Sequence, residues 1–179
     1  MRRISVIGTS GSGKTVFSRR LAERAKLPHV ELDALFWGPN WTPADDALFR
    51  DRVATALSGD AWVCDGNYSS VRPMVLARAD TVIWLDLPLL VCLWQALRRN
   101  AQADSRERLG TGNRETWQRR LGRDSLFWWI LRTHGRRRRE YEALFASPEA
   151  AHFERYRFGT TDEADAWLER IPTTAVAAG

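Results

Sequence analysis

The chain has 179 residues, 44% of them hydrophobic and 27% charged, proportions of a soluble globular protein of one domain with a substantial core. No C-x-x-C pair or histidine cluster points to zinc, and the longest apolar stretch, 81–97, is broken by Asp86 and Pro88, which excludes a membrane span. The net charge of +5 is uneven, with 13 basic and 4 acidic residues (+9) over 98–139 and −4 elsewhere, so that one segment is suited to nucleotide phosphates or a nucleic-acid backbone.

Residues 3–7 read as a short apolar strand, followed by a loop in which Gly8 to Thr15 fits G-x-x-x-x-G-K-[ST], the P-loop pattern. Gly8 and Gly13 allow a tight turn and close approach of the backbone to phosphate oxygens. The N–H groups of the loop and of the helix it opens, 15–26, form an anion site. The expected phosphate contacts are Gly8, Ser10, Gly11, Ser12, Gly13, Lys14, Thr15 and Val16. Lys14 is expected to reach the β- and γ-phosphates of ATP, and the Thr15 hydroxyl to ligate Mg²⁺. The chain has two lysines beside 25 arginines, and one of the two stands where the motif requires it.

A second strand is expected over 28–32, with Asp33 at its C-terminal end, the sheet edge where open parallel α/β folds bind ligands. Asp33 is a candidate to position an acceptor hydroxyl or take its proton, or else a turn cap. An aromatic loop follows, in which Trp37 and Trp41 either stack on an acceptor base or anchor the loop. Thr42 is expected to cap a helix with Pro43 at its first position, running to about Leu57. A third strand over 61–64 leads into Asp65-Gly66-Asn67-Tyr68. Asp65 is the natural Mg²⁺-side carboxylate, Gly66 permits close approach of a substrate, and Arg72 is placed to hold an acceptor phosphate.

Residues 81–85 are nearly all apolar and read as a central strand. Pro88 begins a helix to Arg98-Arg99. Residues 100–113 form a polar loop, and Arg106, Arg108 and Arg114 are candidates to neutralise charge on a transferring phosphoryl group. An apolar helical segment from Leu126 is expected to break or bend around His134-Gly135, with the arginines 136–139 mostly on a solvated face. A fifth strand (153–158), Gly159-Thr160-Thr161 and a helix over 162–171 complete the chain. Cys64 and Cys92, in apolar surroundings, read as buried free thiols of a reducing compartment. The chain enters its first strand directly, so no signal peptide and a cytoplasmic location are expected.

Three stretches together, Gly8 to Thr15, Leu32 to Trp37 with Trp41 and Pro43, and Asp65 to Tyr68, resemble the bacterial P-loop proteins labelled topology modulation proteins or adenylate-kinase-related kinases. The resemblance implies an α/β P-loop NTPase of nucleoside-monophosphate-kinase type: a five-stranded parallel sheet in order 2-3-1-4-5 flanked by helices. It implies one domain over 1–171, with an acceptor-binding segment at 33–59, an arginine-bearing lid at 100–124 and a tail at 172–179. Asp65-Gly66 match the start of the D-G-F-P-R segment of adenylate kinases, whereas Asn67-Tyr68-Ser69 replace its F-P-R and leave Arg72 as the nearest arginine. Arg98-Arg99 resemble the site where such kinases stack adenine, and Gly159-Thr160 the loop lining the adenine pocket.

Three functions stay open at this point. The first is an ATP- and Mg²⁺-dependent kinase of a small acceptor, foremost a nucleotide or nucleoside, acting as monomer or homodimer. The second is an ATP-binding regulator that contacts DNA. The third is a kinase of a non-nucleotide metabolite.

Overall fold

The computed structural model describes residues 1–102 and 126–172, with the backbone alone for 99–102. The core is a five-stranded, all-parallel sheet in the order β2-β3-β1-β4-β5, as expected. Its strands are β1 (Arg3–Gly8), β2 (His29–Glu31), β3 (Trp62–Asp65), β4 (Thr81–Leu85) and β5 (Glu154–Phe158). The helices are α1 (Lys14–Ala25), α2 (Leu32–Phe36), α3 (Asp46–Ala56), α4 (Arg72–Arg78), α5 (Leu89–Gln102), α6 (Leu126–Ala146) and α7 (Thr161–Arg170).

β1, β3 and β4 are buried nearly throughout and mostly apolar because helices cover both faces of the sheet. Alternate residues feed two core layers. Ile7, Cys64, Val82 and Trp84 pack with Phe49, Val53, Leu57, Val75 and Tyr141 on one face. Ile4, Val6, Val63 and Ile83 pack with Phe17, Leu21, Phe158 and Leu168 on the other. A third cluster, Leu87, Cys92, Leu93, Ala96 and Ile130, joins α5 to α6. The register aligns Glu31 with Asp65, and Val6 with Asp65 across the next ladder. The C-terminal strand ends therefore collect at one edge, above which the P-loop opens.

Several boundaries differ from the sequence reading. β2 ends at Glu31, which puts Asp33 in the first turn of α2. Thr42 does not cap α3. Its hydroxyl donates to the Pro39 carbonyl, closing a 3₁₀ turn (Pro39–Trp41), and Asp45 caps α3 by accepting from the Leu48 N–H at 2.8 Å. Residues 100–102, expected in the polar loop, belong to α5, which runs to Gln102, and the rest of that expected loop lies outside the described residues. α6 continues through Gly135 without a break, and His134 ties it to the segment after β4: its Nε2 donates to the Leu87 carbonyl at 3.0 Å. The arginines 136–139 do not all face water, because Arg137 falls on the buried stripe of α6 with Ile130, Thr133, His134 and Tyr141. The last helix begins one residue early. Thr160 is its N-cap, in a reciprocal box with Glu163. Both thiols are buried and unpaired. Asp86 is structural, pairing with Arg157 at 2.6 Å and Arg138 at 3.3 Å. Among the described residues no helix is long and apolar enough to cross a membrane.

Candidate active site

A cleft of about 1550 Å³ lies over the C-terminal edge of the sheet. Its floor is the P-loop, from Ser10 to Val16. Gly13 precedes α1 with φ +81°, a left-handed conformation that glycine adopts without strain, and no side chain caps the helix. The N-terminus of α1 is therefore left to an anion. Lys14 folds back so that its Nζ donates to the Thr9 carbonyl at 3.0 Å. Burial lowers its pKa from 10.5 to about 8, against the opposing pull of Asp65 and then Asp33.

The Thr15 hydroxyl donates to Asp65 Oδ2 at 2.7 Å, and His29 Nε2 lies 3.0 Å from Asp65 Oδ1. Asp65 is 2% exposed and ends β3. Gly66 follows with φ +141°, where a Cβ would lie 2.6 Å from Leu32 Cβ; only glycine lets this turn lie against the start of α2. A hydroxyl and a carboxylate oxygen are the hard donors that suit Mg²⁺, and no group of three or more His, Cys, Asp or Glu residues able to hold a metal occurs among the described residues. That donor set fits an ion carried mostly by phosphate and water. The buried Ser12 hydroxyl, in the same loop, has no partner among the described residues.

Opposite the P-loop, the Tyr68 hydroxyl donates to Asp33 Oδ1 at 2.6 Å. Burial, followed by the charge of Asp33, pushes the Tyr68 phenol up, so it remains a donor. No described residue bonds the second oxygen of Asp33, which lines the cleft. Glu31 also lines the cleft, its pKa raised by burial and then by Asp65 and Asp33. Trp37 and Trp41 are both on the wall, edge to face at 5.8 Å, and Phe36 packs against Trp37, Phe49 and Tyr68. These aromatic rings therefore anchor one another while presenting an apolar surface.

Arg136 and Arg137 reach the cleft from α6, and Trp94 and Arg98 from α5. Arg137 is 8% exposed, lies 5.8 Å from the Trp129 ring and makes no ion pair with a described residue. Burial lowers its pKa. Arg137 lines the same cleft as Lys14, Asp33 and Tyr68.

The cleft thus gathers Ser10, Gly11, Ser12, Gly13, Lys14, Thr15, Val16, Asp33, Trp37, Trp41, Asp65, Gly66 and Tyr68. Gly8 lies beneath it at the end of β1. Arg72 is turned away from it, pairing with Glu140 at 3.4 Å and lying over the Tyr141 ring. Gly159 and Thr160 donate their N–H groups to Glu163 in the cap of α7, and the cleft is lined there by Thr161, Ala164 and Asp165 instead. Arg106, Arg108, Arg114 and the Arg99 side chain lie outside the described residues. Arg137, His29 and Tyr141 are missed by the sequence reading. Only Arg137 and Tyr141 carry a signal, being spaced with Ile130 and His134 as a helix face.

The parallel sheet with β1 at its centre resembles solved structures that span nearly this whole chain. Shikimate kinase from Bacteroides thetaiotaomicron matches 94% of the chain and 95% of its own length, at TM-score 0.55 and 18% identity. Shikimate kinase from Acinetobacter baumannii in complex with shikimate matches 99% and 96%, at TM-score 0.54 and 19% identity. The fold is that of the P-loop kinases. A gluconokinase from Sinorhizobium meliloti 1021 shares this P-loop kinase fold over 94% of the chain and 92% of its own, at TM-score 0.51 and 19% identity. No family model matches. A cytidylate kinase of Nitratidesulfovibrio vulgaris (strain DP4) is 35% identical over 60 residues, 30% of this chain. The match spans about a quarter (26%) of that relative.

Proposed function

We propose that this protein is a kinase that transfers the γ-phosphoryl group of Mg-ATP to a hydroxyl of a small acceptor. The observation that carries this reading is the pairing of a P-loop lysine with an oriented carboxylate across one cleft. Asp33, fixed by Tyr68, faces the same space as Lys14, and its charge acts on that ammonium. A hydroxyl acceptor needs such a group: as its oxygen bonds to the γ-phosphorus, the bond to the β–γ bridging oxygen breaks, ADP departs, and the hydroxyl proton passes to Asp33. Lys14 and Arg137 would offset charge on the transferring group. Thr15 and Asp65 would hold Mg²⁺, which supplies Lewis-acid neutralisation of the phosphate oxygens.

This reading narrows the nucleotide-or-nucleoside expectation. A nucleoside or a polyhydroxylated metabolite offers a hydroxyl, and either could lie on Trp37 and Trp41. A phosphate acceptor would instead enter a wall carrying Glu31, Asp33 and Asp65, where like charges repel. The DNA-regulator reading draws less support from the described residues. Arg136 and Arg138 pair with Glu140, Asp86 and Glu142, and Arg137 turns into the cleft.

The test is ADP release from Mg-ATP in the presence of sugar acids, polyols, nucleosides, nucleoside monophosphates and duplex DNA, with Lys14→Ala as control. Stimulation by a hydroxyl compound, abolished in Lys14→Ala, is expected. Stimulation by DNA alone would overturn the reading.

A further inference from the structure

Asn67 follows Gly66 on the cleft wall, and its side chain joins two elements. The Tyr141 hydroxyl donates to Asn67 Oδ1 at 2.7 Å, and Asn67 Nδ2 donates to the Gly8 carbonyl at the start of the P-loop. The amide orientation is set by these partners, because a carbonyl accepts only from the NH₂ group. Tyr141 is 1% exposed and packs edge-on to Trp84 at 5.7 Å, which holds its hydroxyl toward Asn67.

Arg137 lies one turn before Tyr141 on α6. Three residues earlier, His134 ties the same helix face to the Leu87 carbonyl beyond β4. Arg137 is therefore bracketed by two anchors, one to the P-loop strand and one to the segment after β4. Between them Arg137 lines the same cleft as Lys14, without an ion pair to a described residue. Two cations that face one cleft repel each other, and an anion bound between them would relieve that repulsion.

We infer that Asn67 and Tyr141 are positioning residues, which fix Arg137 against the P-loop so that Arg137 and Lys14 meet the same phosphate. The inference rests on the nucleotide-binding part of the proposed function and needs no acceptor. It is tested by calorimetric titration of the protein with the Mg²⁺ complex of a non-hydrolysable ATP analogue, beside the thermal midpoint. Tyr141→Phe keeps the ring and its packing and removes one hydrogen bond. Asn67→Asp keeps the acceptor for Tyr141 and removes the donor to Gly8.

Arg137→Gln is expected to weaken analogue binding by about 10- to 100-fold, as befits removal of a charge-assisted hydrogen bond to phosphate. Tyr141→Phe and Asn67→Asp are each expected to weaken it about tenfold in the wild-type background and not further in Arg137→Gln. A lower thermal midpoint with unchanged affinity in Tyr141→Phe, or equal weakening in both backgrounds, would make the pair merely structural and overturn the inference. Failure of the wild-type protein to bind the analogue would overturn the nucleotide reading itself.

Discussion

Lys14 is the residue whose chemistry depends most on its surroundings. With its pKa lowered to about 8 by burial, it is largely neutral above that pH in the free protein. Bound phosphates favour the charged form and raise the pKa. Nucleotide binding above pH 8 must then take up a proton, so affinity stays level below about pH 8 and falls as pH rises beyond it, by up to about tenfold per pH unit. Calorimetry at about pH 9 in buffers of different ionisation enthalpy should register that proton, and Lys14→Arg should lose it. In the free protein the sign is opposite. The folded state binds fewer protons on Lys14 than the unfolded chain between about 8 and 10.5, so this group adds stability as pH rises through that window.

In the proposed reaction Asp33 is the group that takes the hydroxyl proton. Asp33→Asn keeps an acceptor for the Tyr68 hydroxyl but cannot take a proton, and should lower kcat by about a hundred- to ten-thousand-fold with nucleotide affinity unchanged. An equal loss of nucleotide affinity would show that Asp33 serves the P-loop side instead.

At the scale of elements, the segment from Asp65 to Tyr68 ties the site together. Asp65 reaches Thr15, Asn67 reaches Gly8 and Tyr141, and Tyr68 reaches Asp33. The turn depends on Gly66. Gly66→Ala would drive a Cβ into Leu32, at the start of the helix that carries Asp33. A urea titration should show a loss of about 2 kcal/mol. The strands and the P-loop helix were legible in the sequence because apolar runs and fixed glycine spacing are local signals. The cap of α3 was not: Thr42-Pro43 is as good a local start as Asp45, and the bridge between Trp37 and Pro43 decided against it. Gly135 suggested a break because glycine weakens a helix, but the His134 and Tyr141 anchors outweigh that cost. Arg137 was legible in principle, as an arginine on an apolar stripe. His29 was not, since its approach to Asp65 depends on strand register across 36 residues of sequence.

At the scale of the molecule, the parallel sheet brings Glu31, Asp33 and Asp65 to the edge where the P-loop opens, and α6 closes over them with Arg137. In the proposed function this cleft would bring a phosphate donor together with a proton acceptor, while the aromatic wall, being apolar on any ligand that fits, does not name the acceptor. The basic balance of the chain, with a sequence pI near 9.9, should give duplex-DNA binding of the unspecific kind. A gel-shift titration should show it weaken by about tenfold or more between low and physiological salt. Binding that persists across that range would mark DNA as a true partner.

Transfer of the phosphoryl group to a hydroxyl is decided by phosphorus NMR of the product formed from Mg-ATP and whichever acceptor stimulates ADP release. A new phosphomonoester resonance is expected, growing in step with ADP and absent with Lys14→Ala. A new phosphoanhydride resonance would mean that a phosphate is the acceptor, and would contradict the role given to Asp33.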